Sequence, residues 1–530
     1  MFKINKTIGG NIQILGLIFF IFYGILALVF FKERMLWVDS AAFSLEVIQT
    51  KTFFTPLGRW GSVFSQVLPL LFLKMGCSLA TYLKVYSVGL ILLSYLGFLI
   101  ITLPLKSKRI GLVYLLTLCL TYRNTFYFSI SEFSQGLALV VLLSAMLEYL
   151  FIAEVKRKTL VFVLSFVLIT SLYFFHQLLV IGILFVIIVT YFKHQDYKNK
   201  ELLTLFLFTL LFFGIKMMLL SGDSYEGKKI PGLAIFIQEI PRFFDLPSVK
   251  YFYFHLKTEL VIPFLIGLIC LFLLWSKKNF LLLALFICYP IAYFVLIAIT
   301  YYKGEAPNMY QQYYIMFGLF LAFLMNTVWE KEVNRKYIFV IILPILLYSS
   351  HRIYASHRIL TKRVAYIRMI AQKGRAFKSR KYIIHPDDFS WGYGWVAWAL
   401  PSEVLLVSSL ESKENGVVCY VPGFNEVVDT SSNEGQLLSA PWQQHLLNTT
   451  RLDTHFFSIP ISTNYLLTNR LKRGENFYKS QIRYNFEWKA KEKKKAKERD
   501  ISLEEMIQID AAYLVNTVKE EKLEQVKIKE

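Results

Sequence analysis

The sequence predicts an all-α polytopic membrane protein of about eleven transmembrane helices that ends in a small mixed α/β domain outside the lipid. Three observations predict it. Of 530 residues, 55% are hydrophobic, and a mean hydropathy of +0.47 is too apolar for one large soluble protein. Apolar runs long enough to cross a bilayer, or nearly so, recur along the first two thirds of the chain. The lysines and arginines behind the formal net charge of +21 sit in short clusters between those runs, as in cytoplasmic loops of membrane proteins. That placement excludes nucleic acid as a partner.

The runs lie at roughly 12–31, 79–103, 109–122, 133–152, 159–175, 178–192, 201–220, 259–275, 279–300, 312–328 and 337–350. The first follows a basic start, MFKINKTIGGNIQ, and is too long for a cleavable signal, so it reads as a retained signal anchor. With the N-terminus inside, five basic loops fall on the cytoplasmic side. They carry Lys106, Lys108 and Arg109; Lys156, Arg157 and Lys158; Lys193, Lys198 and Lys200; Lys277 and Lys278; and Lys331, Arg335 and Lys336. This parity requires that residues 61–76 not cross, and their length of 16 with Pro69 inside and Lys74 near the end suits an interfacial or re-entrant helix. If they cross, every later loop inverts. Of five cysteines, Cys77, Cys119, Cys270 and Cys288 lie in or beside apolar runs and only Cys419 in a polar region, so neither a disulfide framework nor a CxxC metal site follows.

The outer side then receives residues 32–78, 123–132, the Phe175–Gln177 corner, 221–258, 301–311 and everything after about 351. Runs 109–122 and 178–192 are short, about 21–23 Å of helix against about 30 Å of hydrocarbon. Either their outer ends stop below the surface around an outward-opening cavity, or the bilayer thins locally.

Four regions follow: a transmembrane domain over 1–350 with its first outer loop at 32–78, a basic connecting helix over 351–380, a mixed α/β domain over 381–485 and a charged, solvated helical tail over 486–530. The connecting helix is basic enough to suit lipid phosphates. Strand-like runs in the third region are KYIIH at 381–385, EVLLVSSL at 403–410 and VVCYVP at 417–422. The tail opens with KAKEKKKAKER and then carries a Ser502-x-x-Glu505 capping box.

Polar chemistry concentrates on the predicted outer side. Asp39, flanked by Trp37 and Phe43 with Glu46 on the same helical face, offers a carboxylate at the membrane surface that could take a proton from a hydroxyl. Arg59 offers paired hydrogen bonds to a phosphate. The structural alternative is that Asp39 caps a juxtamembrane helix. Arg123 and Glu132 flank the mouth of a short helix pair. His176 and Gln177 form a polar pair at membrane depth, a functional candidate unless the histidine merely bonds a neighbouring helix. Lys303, Glu305 and Tyr310, in YYKGEAPNMYQQYYIM, could stack on and hydrogen-bond a sugar, or form part of an ordinary aromatic belt.

Over roughly residues 10–330 the pattern resembles the GT-C superfamily of membrane glycosyltransferases. The resemblance rests on an early acid in a large first outer loop (WVDS, Asp39), a basic residue before a semi-apolar helix (GRW, Arg59), a basic inner turn (KSKR) and an acid after a short span (SEFSQG, Glu132). It implies a polyprenyl-phosphate-linked sugar as donor, an inverting transfer to a glycan, lipid or protein acceptor, Asp39 as base, Arg59 at the donor phosphate and Glu132 as a second site carboxylate. Many members have two adjacent acids in the first loop, where this chain has Asp39 followed by Ser40. No redox cofactor is expected, and a divalent metal is left open without a ligand cluster to point to. The bacterial plasma membrane is the expected location. Other classes remain beside this one: a transporter or flippase of a lipid-linked glycan, for which Lys216 is the clearest mid-span charge; an envelope polysaccharide polymerase or ligase, to which Arg242 and His255 in a large outer loop would point; and a non-catalytic GT-C-like protein.

Overall fold

The computed structural model describes residues 7–151, 155–195, 199–219, 227, 233–302, 314–332, 335–377, 380–384, 389–390, 397–421, 436–437, 447–448, 452–459, 466–467, 478–479, 482 and 486–514. The chain divides into two compact units. The first comprises Met1–Met35, Lys51–Cys77 and Thr81–His357, and the second Leu36–Thr50, Ser78–Ala80 and Arg358–Glu530.

The first unit is all-α, as the apolar runs predict. Among the described residues, five of its helices are long and apolar enough to cross a membrane, over Ile12–Val29, Leu79–Thr102, Glu132–Tyr149, Lys200–Leu219 and Phe280–Thr300. A sixth would be Pro247–Thr258 with Val261–Ser276, bent by 87°. At its centre lies Lys108–Thr121, whose residues from Ile110 to Thr121 are all buried, packed against Met316–Glu332, Glu132–Tyr149 and Thr7–Val29. Protein encloses this short helix, so its length has no hydrocarbon thickness to match. Glycine is required where it meets its main neighbour: a Cβ on Gly318 would lie 2.7 Å from Thr121 Cγ2.

Helix directions alternate, and the basic turns gather acids at one end. Lys193 Nζ lies 2.6 Å from Glu148 Oε1, Ser107 Oγ is 3.5 Å from Glu148 Oε2, and Lys158 pairs with Glu201 at 2.7 Å. Lys108–Thr121 leads away from that end and Glu132–Tyr149 returns to it, so Arg123 and Glu132 share the opposite end.

Residues 61–76 form the helix Ser62–Lys74, 13 residues with Pro69 inside, about 20 Å long and short of a crossing. Its start docks on the 174–175 corner, where the Gly61 N–H donates to the Phe174 carbonyl at 3.3 Å and Phe64 stacks on Phe175 with 6.1 Å between centroids. The predicted span 337–350 and connecting helix 351–380 are one 41-residue helix, Arg335–Arg375. Between Pro344 and Gly374 the sequence holds neither proline nor glycine, so nothing local stops the helix.

In the second unit, strands Lys381–Ile383, Val418–Tyr420 and Leu466–Leu467 form a parallel sheet with the first in the middle; Tyr382 pairs with Cys419 on one side and Leu466 on the other. EVLLVSSL, expected as a strand, belongs to the helix Leu400–Ser409. Every residue of that helix is buried, so it lacks the one-sided pattern that separates helix from strand, and Pro401 fits its first turn. Parallel neighbours need a crossover, which this helix supplies between Lys381–Ile383 and Val418–Tyr420.

The capping box forms as predicted: the Ser502 N–H donates to Glu505 Oε2 at 2.9 Å and the Glu505 N–H to Ser502 Oγ at 3.2 Å. The tail differs from a solvated helix. Lys495 on Phe486–Glu498 lies 2.5 Å from Asp510, and Ala496, Met506, Ile507 and Ala511 are buried.

Candidate functional site

Asp39 belongs to the second unit, exposed in the first turn of the helix Val38–Thr50. The residues just before it are bound into a buried network that sequence reading missed. Arg363 Nη2 donates to Glu403 Oε2 at 2.7 Å, and the same carboxylate accepts the Val38 N–H at 2.8 Å. The Arg363 guanidinium stands 4.8 Å from the centre of the Trp37 ring. Trp37 and Val38 thus anchor the segment to Leu400–Ser409. The available signal was a lone acid, Glu403, inside an apolar run.

Arg59, Glu132 and His176 come together in the first unit. Arg59 Nη1 is 3.6 Å from Glu132 Oε2. Glu132 occupies the first turn of its helix, where the helix dipole favours a carboxylate, and Ser131 caps that helix by accepting the Ser134 N–H. Phe133 packs its ring 5.0 Å from His176, whose Nδ1 accepts the Leu178 N–H at 3.2 Å; that bond puts the proton of the neutral ring on Nε2. Gln177 Oε1 is buried with no hydrogen-bond partner among the described residues. Lys303, Glu305 and Tyr310 lie outside the described residues.

An apolar groove of about 960 Å³ runs between the helices Leu79–Thr102 and Val155–Tyr173, floored by Leu139, Leu142 and Met146 of Glu132–Tyr149. Phe64, Gln135 and Phe175 line it at the Glu132 end, and Lys106, Tyr149 and Arg157 at the other.

A second cluster at the same end of the unit was only partly legible. Arg123, read with Glu132 at the mouth of a short helix pair, lies at the same end of the unit as Glu132 and pairs with Glu259. His255 Nδ1 is 3.0 Å from Glu259 Oε2, and Arg352 donates to the Leu120 carbonyl at 3.2 Å. The sequence explains the elbow: Pro263 has no N–H for the Glu259 carbonyl, which accepts the Tyr348 hydroxyl instead, and the helix breaks there. Burial, then Arg123 and Arg352, push the His255 imidazole down to about 4. Burial, then Arg352, push Arg123 down to about 10, and burial lowers Arg352. Near neutral pH, two guanidinium cations and a neutral imidazole therefore surround one carboxylate. Arg242 does not join His255; itself exposed, it pairs at 2.7 Å with Glu239, which is buried. Lys216 lies near the end of its helix, not mid-span, and donates to the Tyr173 carbonyl at 2.7 Å.

Among the described residues no group of three or more His, Cys, Asp or Glu side chains could hold a metal ion. No family model, curated protein or solved structure matches the chain.

Proposed function

We propose that the chain is a polytopic membrane glycosyltransferase of the GT-C kind, with about eleven spans and a cytoplasmic N-terminus, that moves a sugar from a polyprenyl-phosphate donor at the extracytoplasmic face of a bacterial plasma membrane. The observation that carries this reading is the 960 Å³ apolar groove whose one end, lined by Phe64, Gln135 and Phe175, lies one helical turn from Glu132, which faces Arg59. A prenyl chain would enter it sideways from lipid, bringing its phosphate to a guanidinium. The acceptor oxygen attacks C1, the C1–O bond to phosphate breaks with its electron pair leaving on the phosphate, and a carboxylate takes the acceptor proton. The resemblance assigns that carboxylate to Asp39, while the acid beside Arg59 is Glu132. Charge stabilisation of the departing phosphate is the contribution expected of Arg59. The transporter reading is weakened, because Lys216, its best mid-span charge, reaches a helix-end carbonyl.

The test compares membranes of cells with and without the protein, and with Asp39→Asn or Glu132→Gln at matched membrane levels. Loss of the protein should make one polyprenyl-phosphate sugar accumulate. Replacing the base should lower product formation by about 100-fold or more. Normal product from both variants, or no accumulating lipid, overturns the assignment.

A further inference from the structure

The Arg123–Arg352 cluster has the charge and shape of a binding site that the transferase reading does not use. Arg352 is only 9% exposed, and its Nε is buried without a hydrogen-bond partner among the described residues. A buried guanidinium N–H left unpaired costs free energy that a ligand oxygen would recover. Glu259 neutralises one of the two arginines and His255 stays neutral, leaving about one positive charge uncompensated among these groups. The cavity between them measures about 50 Å³. That is room for on the order of four water-sized atoms, which suits one phosphoryl group and is too small for a hexose. Arg123, Arg352 and Tyr314 line it from three different stretches of the chain, a spread suited to a tetrahedral oxyanion more than to a planar carboxylate.

Beside it lies a second apolar groove, about 380 Å³, between Val261–Ser276, Phe280–Thr300 and Met316–Glu332. The two cavities share Leu120, Leu260 and Tyr314 as walls. The groove opens on the surface of the unit, where Phe264 is 47% and Ile291 56% exposed. An unbalanced cationic pocket at the end of an apolar trough complements an amphiphile with an anionic head.

We propose that this site binds a long-chain phosphate monoester, with its phosphate between Arg123 and Arg352 and its chain in the trough. The binding stands independently of sugar transfer, so a failed transferase assay leaves it intact.

The test uses the full chain in phosphatidylcholine nanodiscs with dodecyl phosphate carrying a photoreactive group at the chain end. Saturable labelling is expected within Val261–Ser276 and Phe280–Thr300. Arg352→Gln should weaken binding by tenfold or more, and Arg352→Lys, which keeps the charge and guards against misfolding, by severalfold. Gly267→Leu would intrude into the trough, where a Cβ meets only Leu321 Cδ1 at 3.7 Å, and should weaken dodecyl phosphate by about tenfold while leaving inorganic phosphate unchanged. Unlabelled dodecyl phosphate should compete at least tenfold better than either inorganic phosphate or dodecanol. Equal binding by the arginine variants overturns the proposal. So does inorganic phosphate competing as well as dodecyl phosphate, which would mark a soluble-anion site, or dodecanol doing so, which would mark a purely apolar one.

Discussion

Two clusters in this molecule use the same residue types to opposite ends. In the second unit, Arg363 and Glu403 are 1% and 0% exposed and closed on each other: the carboxylate takes three guanidinium hydrogen bonds and a backbone N–H, and the guanidinium lies on Trp37. In the first unit, Arg123 and Arg352 line a cavity with one carboxylate, Glu259, which pairs with Arg123, and Arg352 Nε has no hydrogen-bond partner among the described residues. The first arrangement balances charge and saturates hydrogen bonds, so it can only hold the chain together. The second leaves charge and a donor unspent at the mouth of an apolar trough. Stoichiometry and satisfaction, not the presence of arginine and glutamate, separate an anchor from a binding site.

The closed pair gives the largest expected effect. Glu403→Gln strands Arg363 as a buried cation and should destabilise the second unit by about 3–5 kcal/mol. The measurement is the thermal midpoint and protease resistance of this unit in nanodiscs. Arg363→Met with Glu403→Leu should recover most of that loss, because an apolar pair of similar volume needs no charge balance. If Glu259→Gln in the open cluster proves as damaging as Glu403→Gln, the contrast between the two clusters collapses.

Acid should loosen the open cluster. The folded-state pKa of His255 is about 4 against an ordinary value of 6.5. Between those values the unfolded chain binds the extra proton. The stability from neutral His255 is therefore complete above about pH 6.5 and lost as pH falls towards 4, by on the order of 2 kcal/mol. The physical cause is burial, followed by the facing cations Arg123 and Arg352, against which Glu259 is the one nearby acid among the described residues. Midpoints followed from pH 7.5 to 4.5 should fall more steeply for wild type than for His255→Gln; parallel curves would mean that the imidazole is not held neutral.

How much of this was legible follows from the kind of signal each feature leaves. Apolar runs and basic turns are local, so the helices of the first unit and the placing of the Lys106 and Lys193 turns at one end could be read from sequence, whereas the acid that joins those turns, Glu148, was not. The capping box at Ser502 is four residues long and equally local. The strand expected at 403–410 became a helix because a run buried on all sides carries no periodicity, and only the demands of a parallel crossover decide it. Arg59, Glu132 and His176 were singled out as polar residues on the predicted outer side; Arg59 faces Glu132, and His176 packs on the adjoining Phe133. Asp39 was read from the same kind of signal, but the WVDS segment belongs to the second unit and its neighbours serve Glu403. Glu259 and Arg352 lie at a helix elbow and well inside a long helix, 93 positions apart, and no local pattern encodes that they line one cavity.

The smallest expected effect comes from a third version of the same residue set. Glu411 is bracketed by Arg368 at 3.4 Å and Arg375 at 2.5 Å, again two guanidiniums to one carboxylate, but all three side chains are between 26% and 41% exposed. Water and salt solvate these charges, and a surface ion pair contributes about 0–1 kcal/mol. Glu411→Gln should therefore shift the thermal midpoint of the second unit very little, and the shift should shrink further as ionic strength is raised to 0.5 M, where screening shortens the reach of charge. Its stoichiometry matches that of the Glu259 cluster and its unit is that of Glu403, so it isolates burial as the remaining variable. A loss of several kcal/mol from Glu411→Gln, insensitive to salt, would mean that the number of charges and not their enclosure governs these clusters. The distinction between anchor and binding site would then have to rest on the unpaired Arg352 Nε alone.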